Sequence, residues 1–387
     1  MRIAMIGYTF YEIDARVKRA AEALAQAGHH VDVYSVRHQT AGADRYGSVR
    51  VFRLGMRMRR SVAARYAFEY GLFCLWALAW ISVRHVHRKY DAVYAHNLPN
   101  FVVFAGLLPK LTGAGVVLDV HDPSVELLGS IRGEPLPGWL RRLARAEEVL
   151  SLAFADAIVT VNESMRKRLA GLCGRPVLVV MNLPDPELFF PGTVSRANAD
   201  TVVYSGSLTW RHGTDLLVEA LALVADEFPL LRLLIIGAGP AVPALREQAA
   251  SLAVSDRVEI ADYVANDQIP ALIGGAAAGV AAQREDEFGA LVFSMKAAEY
   301  AALGLPVICS GITTMRHYFT EEDMFFFEPG NASDLARALR ELLADPVAAA
   351  ARAGQCQRSL RELDWPRQRA ALVETVERSG RAQGEAR

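Results

Sequence analysis

The sequence predicts an α/β protein of two domains, each built from β-α-β units around a parallel sheet. Three observations carry this. The chain has 387 residues, too many for one ordinary hydrophobic core. Short apolar runs of strand length alternate with helical stretches through the first half, and the same rhythm restarts at Thr201. Between the halves, Gly192 to Asp200 is small and polar, which is linker composition. The expected boundaries are 1–191 for the first domain, 192–200 for the linker and 201–365 for the second domain. A C-terminal helix over 366–387 is expected to return to the first domain, frayed from Arg378 onward.

Bulk properties narrow the function classes. The net charge is −1 and the isoelectric point is near 6.8, so nothing suggests a nucleic-acid partner. Cys74, Cys173, Cys309 and Cys356 are far apart and lack metal-ligand spacing, which fits a reduced, cytosolic compartment. Met1-Arg-Ile-Ala-Met-Ile-Gly7 reads as a strand and a turn; a signal peptide would carry a longer apolar region.

In the first half, residues 2–6 form a strand ending at Gly7. A helix follows from Val17 to Ala27, closed by Gly28, and His30–Val36 is the next strand. Such a unit crosses over right-handed. The loop after the first strand lacks Gly-x-Gly-x-x-Gly, which argues against a nicotinamide or flavin site.

Residues 50–90 combine charge and apolarity. Arg53, Arg57, Arg59, Arg60 and Arg65 precede an uncharged aromatic run from Tyr70 to Val83, and Arg84, His85, His87, Arg88 and Lys89 follow. The run is shorter than the roughly 20 residues needed to cross a bilayer. Two readings remain: a buried helix with solvated basic ends, or an interfacial segment whose arginines meet anionic headgroups. The second is preferred, with one face of the helix sufficing.

Tyr90 to Asn100 is a strand ending in a polar loop with His96 and Asn97, then a helix over Phe101–Leu111. Val116–Val120 is a strand ending at His121-Asp122-Pro123. Open α/β sheets bind ligands at the carboxyl ends of their strands, so His96 and His121 are expected to face one cleft. Strands at 157–161 and 177–180 complete the half.

In the second half, Thr201–Ser205 leads through Gly206 to Arg211-His212-Gly213 and a helix from Asp215. A strand, a glycine loop and a helix can present N–H groups to phosphates. Further strands are expected at Leu233–Ile236, near Val258–Ala261, at Ala278–Ala282 and at Val307-Ile308. Glu285, Asp286 and Glu287 form an acidic loop, most simply a solvated one. Ser294 is the expected cap of a helix that Gly304 and Pro306 end. Lys296 and Glu299 share a face near its N-terminus, where a diphosphate is welcome. The carboxylate one turn further in can accept from a ribose diol. The bland reading is a surface ion pair three residues apart.

Lys296-x-x-Glu299-Tyr300 with Ala302-Leu-Gly-Leu-Pro-Val307 resembles the donor-site motif of the retaining family-4 glycosyltransferases, in the bacterial exopolysaccharide and O-antigen branch. His96-Asn-x-Pro99, Leu118-Asp-x-His-Asp-Pro123, Asn182-x-x-Asp-x-x-x-Phe-x-Pro191 and the segment from Asp14 to Val31 extend the resemblance over nearly the whole chain. It implies a GT-B fold, two Rossmann-like domains facing across a cleft, and metal-independent transfer of a hexosyl group with retention. It implies that Glu299 holds the ribose and that Lys296 faces the diphosphate or donor sugar, with Ser294, Gly206 and Arg211 beside them. The backbone at Tyr263 and Val264 would read a uridine or guanosine base. His121 and Asp122 would lie near acceptor and donor sugar, making His121, Asp122 and Lys296 the catalytic candidates. Tyr8, His96 and Asn97 would line the acceptor side.

The sequence departs from the family at three places. Ser207 and His212 stand where members usually carry an arginine and a lysine, and Leu291 replaces a frequent acidic residue. Arg211 would supply the missing cation, and Glu285, Asp286 or Glu287 the missing carboxylate. The resemblance also implies no cofactor beyond the nucleotide-sugar and a saccharide acceptor carried on a polyprenyl diphosphate. It places the enzyme on the inner face of the plasma membrane through residues 53–89. Two other readings stay open: a nucleotide-sugar 2-epimerase of the same fold, and a non-catalytic partner subunit.

Overall fold

The computed structural model describes residues 1–38, 42–56, 63–132, 136–191, 200–363 and 365–381. The chain forms two compact units, Met1–Met181 with the helix Trp365–Arg381, and a second unit beginning at Asn182. Of the expected linker at 192–200, residues 192–199 lie outside the described residues.

Among its described residues the first unit holds eight strands: β1 (Arg2–Gly7), β2 (His30–Val36), β3 (Arg45–Tyr46), β4 (Val49–Leu54), β5 (Ala92–His96), β6 (Gly115–Val120), β7 (Ala157–Thr160) and β8 (Val177–Val179). Their order is β3-β4-β2-β1-β5-β6-β7-β8. Among the described residues only the β3–β4 pair is antiparallel. The central strands are apolar on both faces because helices cover both sides, and Ile3 to Ile6 are fully buried. The helix Ala15–Gln26 starts where the Asp14 carboxylate accepts from the N–H groups of Arg16 and Val17. It places Val17, Ala20, Ala21 and Leu24 in the core at helical spacing.

The second unit holds β9 (Thr201–Ser205), β10 (Arg232–Ile236), β11 (Val258–Ala261), β12 (Ala278–Ala281), β13 (Val307–Ser310) and β14 (Phe325–Phe327). They form one parallel sheet in the order β11-β10-β9-β12-β13-β14. In each sheet the order reverses around the first strand of the unit. β1 lies between β2 and β5, and β9 between β10 and β12. The loops after Gly7 and Ser205 therefore open at topological switch points, where such sheets take ligands.

The sequence reading gave no element between Val36 and Tyr70, yet β3 and β4 are there. The alternation in Val49-Arg-Val-Phe-Arg-Leu54 carries the signal for β4, and its arginines equally fit a basic flank. The expected helix at 101–111 is mostly a 3₁₀ segment, Asn100–Gly106, with one short α-helix after it, Leu107–Leu111. Close packing accompanies the tight turn: a Cβ at Gly106 would lie 3.0 Å from Val93.

The apolar run at 70–83 belongs to a helix of 25 residues, Ala63–His87. One face, with Phe73, Ala77 and Ile81, is completely buried. The other exposes Phe68, Leu72, Leu75, Trp80, Val83 and Val86. No helix among the described residues is long and apolar enough to cross a membrane. One proposed headgroup cation is corrected: the Arg53 side chain is only 2% exposed and is paired with Glu12 and Asp44, so it holds the β4 end to the first loop. Arg57, Arg59 and Arg60 lie outside the described residues, as does the side chain of Arg65.

The last helix does not fray at Arg378 but continues to Arg381. Leu372 and Val376 enter the core of the first unit with Ile3, Leu24, Val117 and Val159. Its end passes so close to β6 that a Cβ at Gly115 would lie 2.2 Å from the Ser379 carbonyl oxygen. Leu372→Ala removes a side chain that is 1% exposed. It should lower the unfolding free energy by about 2–5 kcal/mol in urea denaturation of the full chain. Glu374→Ala, on the exposed face of the same helix, should change it by less than about 0.5 kcal/mol.

Candidate functional site

The first unit gathers its polar residues at the carboxyl ends of β5 and β6. Asp119, near the end of β6, is buried and is held from several sides. Arg16 donates to both of its oxygens, at 2.9 and 2.6 Å. The Tyr94 hydroxyl donates at 2.9 Å, and His96 Nδ1 lies at 3.3 Å. Burial works to raise this carboxyl, but the Arg16 charge, the proximity of His96 and the Arg16 hydrogen bonds outweigh it and hold the group far below the usual carboxylate range.

His96 and His121 come together as expected, with ring centres 6.3 Å apart. His96 is 1% exposed, and neither of its ring nitrogens has a hydrogen-bond partner. His121 Nδ1 is likewise unpartnered, and its Nε2 lies 3.9 Å from Asp122. Burial lowers the His121 pKa, against the pull of Asp122 and Asp119, so the ring is biased toward its neutral form. Asn97 fixes the backbone here. Its carbonyl oxygen accepts from the N–H groups of His121 and Asp122, and its amide donates to the Asp122 carbonyl. Tyr8 has a structural partner instead of an open hydroxyl: it donates to the buried Glu69 of the long helix at 2.9 Å. Glu126 is bound by Arg145 and Arg168. His96, Asp119 and His121 offer three ligand atoms within 4.8 Å of one another. Arg16 already occupies Asp119, so a metal ion there would sit beside a guanidinium.

The second unit builds its site around Gly206. Ser294 caps the helix Met295–Ala302, its hydroxyl accepting from Ala297 N–H at 3.3 Å. The first turn of that helix carries Lys296, whose Nζ lies 5.6 Å from the Tyr204 ring centre. The Lys296 chain crosses Gly206 so closely that a Cβ there would lie 2.2 Å from Lys296 Cε. Gly206 also has φ +146°, so both the lysine path and the backbone require glycine. Lys296 and Glu299 make no ion pair within 4.0 Å; the surface-pair reading is not what the structure contains.

Glu299 is pushed up to about 7, because burial outweighs the nearby Lys296 charge. Lys296 is lowered by burial and by Arg211, against the pull of Glu299. Arg211 sits over Phe288, 5.1 Å from the ring centre. Its Nε and Nη1 are shielded without a hydrogen-bond partner. His212 is pushed down to about 3 by burial and by the Lys296 and Arg211 charges, so it is neutral where the family resemblance has a cation. This group of Lys296, Arg211 and His212 has donors to offer, and beside it lies a carboxyl whose proton burial helps to retain. That is the chemistry of a site for a polyanion attached to a diol.

Tyr263 and Val264 follow β11 in a loop where Tyr263 is exposed. The acidic loop is largely engaged in its own folding. Glu285 accepts from the N–H and hydroxyl of Thr313, at the start of a helix. Asp286 accepts from the N–H groups of Phe288 and Gly289. Leu291 closes the 3₁₀ turn Gly289–Leu291. Sequence reasoning did not single out Asp119, whose lone acid in an apolar strand was the signal for a buried pair.

Residues 13–183 match the family described as glycosyl transferase 4-like domain. Residues 199–345 match the family described as glycosyl transferases group 1. The chain is similar to an uncharacterised glycosyltransferase of Methanocaldococcus jannaschii, 21% identical over 89% of this chain and 90% of that protein. Among solved structures it resembles the sucrose-phosphate synthase of Thermosynechococcus elongatus, with TM-score 0.77 and 19% identity over 100% of both chains. It also resembles Anabaena HepE in complex with UDP-glucose, with TM-score 0.71 and 17% identity over 97% of this chain and 99% of that one. Two parallel-sheet units that match glycosyltransferase domain families one after the other, on a shared GT-B fold, make this chain a member of the glycosyltransferases.

Proposed function

We propose that the protein transfers a sugar from a uridine or guanosine diphosphate donor to a saccharide acceptor with retention at the anomeric carbon. The observation that carries this is the pair of unneutralised cations beside the capped helix: Lys296, which crosses Gly206, and Arg211, close enough to lower the Lys296 pKa. As the bond from the anomeric carbon to the diphosphate oxygen breaks, negative charge collects on the leaving diphosphate. Fixed cations and helix N–H groups aimed at that charge stabilise it without reorganising. The acceptor hydroxyl attacks from the same face, and its proton passes to the departing phosphate oxygen. No resident metal enters this sequence of steps. Lys296 and Arg211 hold the diphosphate, with Ser294 fixing the helix start. Glu299 holds the ribose diol, and the backbone after β11 at Tyr263 and Val264 meets the base. His121 and Asp122 position the sugars, with His96 and Asn97 behind them. UDP is the first nucleotide to test, since the similar HepE was crystallised with UDP-glucose.

The acceptor we assign is a polyprenyl-diphosphate-linked saccharide of surface polysaccharide synthesis, met at the inner membrane face. The support is the exposed apolar side of helix Ala63–His87. Its aromatic and aliphatic residues suit the edge of the bilayer, and Arg84, His87, Arg88 and Lys89 at its end suit anionic headgroups.

Three outcomes are expected. In calorimetry UDP binds more tightly than GDP, and Glu299→Ala weakens it at least tenfold, since a hydrogen bond to a charged group is worth about 1.5–3 kcal/mol. Gly206→Ala has the same effect by displacing Lys296. If neither nucleotide binds folded protein, the partner-subunit reading replaces this one.

The second outcome concerns pH. The unfolded chain releases the Glu299 proton near 4.5 and the free folded protein near 7, so the free protein loses stability as pH rises through that window. A ribose diol is best accepted by the ionised form. UDP affinity should rise up to about tenfold between pH 6 and 8, and that part of the rise should vanish in Glu299→Gln.

Third, sedimentation with vesicles containing phosphatidylglycerol should recover the wild type, and the double variant Leu75→Asp, Val83→Asp should stay in solution. Equal recovery of both would remove the membrane assignment.

A further inference from the structure

At the opposite end of the first sheet from His96 and His121 lies a second recess, of about 340 Å³, within the usual range of small-molecule sites. It sits at the amino ends of β1, β2 and β4, against the last turn of helix Ala63–His87. Arg2, Arg45, Arg50, Arg84 and Arg88 line it, together with His30 and His87. One carboxylate, Asp32, lies among them, already bound by Arg2 at 2.6 Å and by the Tyr90 hydroxyl. The chain as a whole carries a net charge of −1, so this concentration of cations is local and does not follow from a basic composition.

Part of the cluster has an ordinary explanation. Arg84, His87 and Arg88 end a helix, where cations offset the dipole. Arg2 is tied to Asp32 and lies over the Tyr90 ring. Arg45 donates from Nε to the Gly47 carbonyl at 3.2 Å, but neither it nor Arg50 has a carboxylate partner among the described residues. They are directly opposite each other in the antiparallel β3–β4 pair, where like charges destabilise the strands. Arg50 makes no hydrogen bond or ion pair with the described residues, and its guanidinium lies 5.8 Å from the Phe52 ring centre. Arg84 Nε is shielded without a hydrogen-bond partner, 3.9 Å from Asp32, while its guanidinium stacks 4.1 Å from the Phe52 ring centre. An anion with several oxygens would relieve the Arg45–Arg50 repulsion and satisfy Arg84 together.

We infer that this recess binds a phosphate-bearing anion at a site separate from the sugar-transfer chemistry. The planar forks of several arginines match the oxygens of phosphate groups, and more than one charge is needed to balance them. Two sources offer that chemistry: a free diphosphate or polyphosphate, and the headgroup of an anionic lipid.

The test titrates the full-length protein with sodium pyrophosphate by calorimetry. Wild type, Arg50→Glu, Arg45→Glu and Lys296→Ala are compared, with circular dichroism and thermal melting as controls for folding. Pyrophosphate should bind wild type and Lys296→Ala at this recess, and either arginine reversal should weaken that binding at least tenfold. Sedimentation with phosphatidylcholine vesicles, with and without phosphatidylglycerol, separates the sources. Binding that needs both the anionic lipid and Arg50 assigns the headgroup; pyrophosphate binding without it assigns the free anion. The inference falls if neither ligand binds, or if binding is indifferent to both arginine reversals.

Discussion

The first unit is organised by the need to keep Asp119 ionised inside a parallel sheet. A carboxylate at that depth persists only when paired and hydrogen-bonded. Arg16 reaches it from the helix Ala15–Gln26 with two bonds, and also donates to the Val180 carbonyl at 2.8 Å. One guanidinium thus ties the first helix to β6 and to the chain beyond β8. Tyr94 and His96 complete the shell from β5. His121 is then set beside a neutralised pair, and burial leaves it with little charge. The strand ends are tied together because one ion pair has to be satisfied.

The second unit solves the opposite problem. At its site, neither Lys296 nor Arg211 has a carboxylate within pairing distance among the described residues. Arg211 has shielded nitrogens without partners, Lys296 crosses Gly206 without an ion pair, and His212 has given up its proton. Such an arrangement costs stability in the free protein. It is economical only where a ligand brings the missing negative charge. Glu299 shows the same tension from the acid side, with its pKa pushed up to about 7 by burial. The recess at the amino end of the first sheet has the same character, in arginines that face one another across β3 and β4.

The helix Ala63–His87 shows why composition left two readings standing. A stretch that is apolar all round is ambiguous between core and interface, since periodicity cannot separate them. The structure takes both roles at once: Phe73, Ala77 and Ile81 pack inward, while Leu75, Trp80 and Val83 face out. Arg53, which looked like part of the same basic flank, is instead enclosed by Glu12 and Asp44. Little local to Arg53 distinguishes it from an exposed arginine, because Glu12, which takes two of its hydrogen bonds, lies in a loop 41 positions back in the chain.

Much was legible without coordinates. The order of apolar runs and glycine stops located β1, β2 and the strands around the site, and the Ser294 cap and Gly304 stop bounded the helix carrying Lys296 and Glu299. These are local facts, decided by caps, turns and side-chain periodicity within a few residues. The glycosyltransferase membership was likewise readable from the Lys296-to-Val307 and His96-to-Pro123 patterns. What only tertiary structure decided is which charges are neutralised. Asp119 finds Arg16 across more than a hundred positions, Tyr8 finds Glu69, and Arg45 is set opposite Arg50. Charge pairing is settled by distances in space and by burial, and a linear sequence carries neither until the sheets have formed.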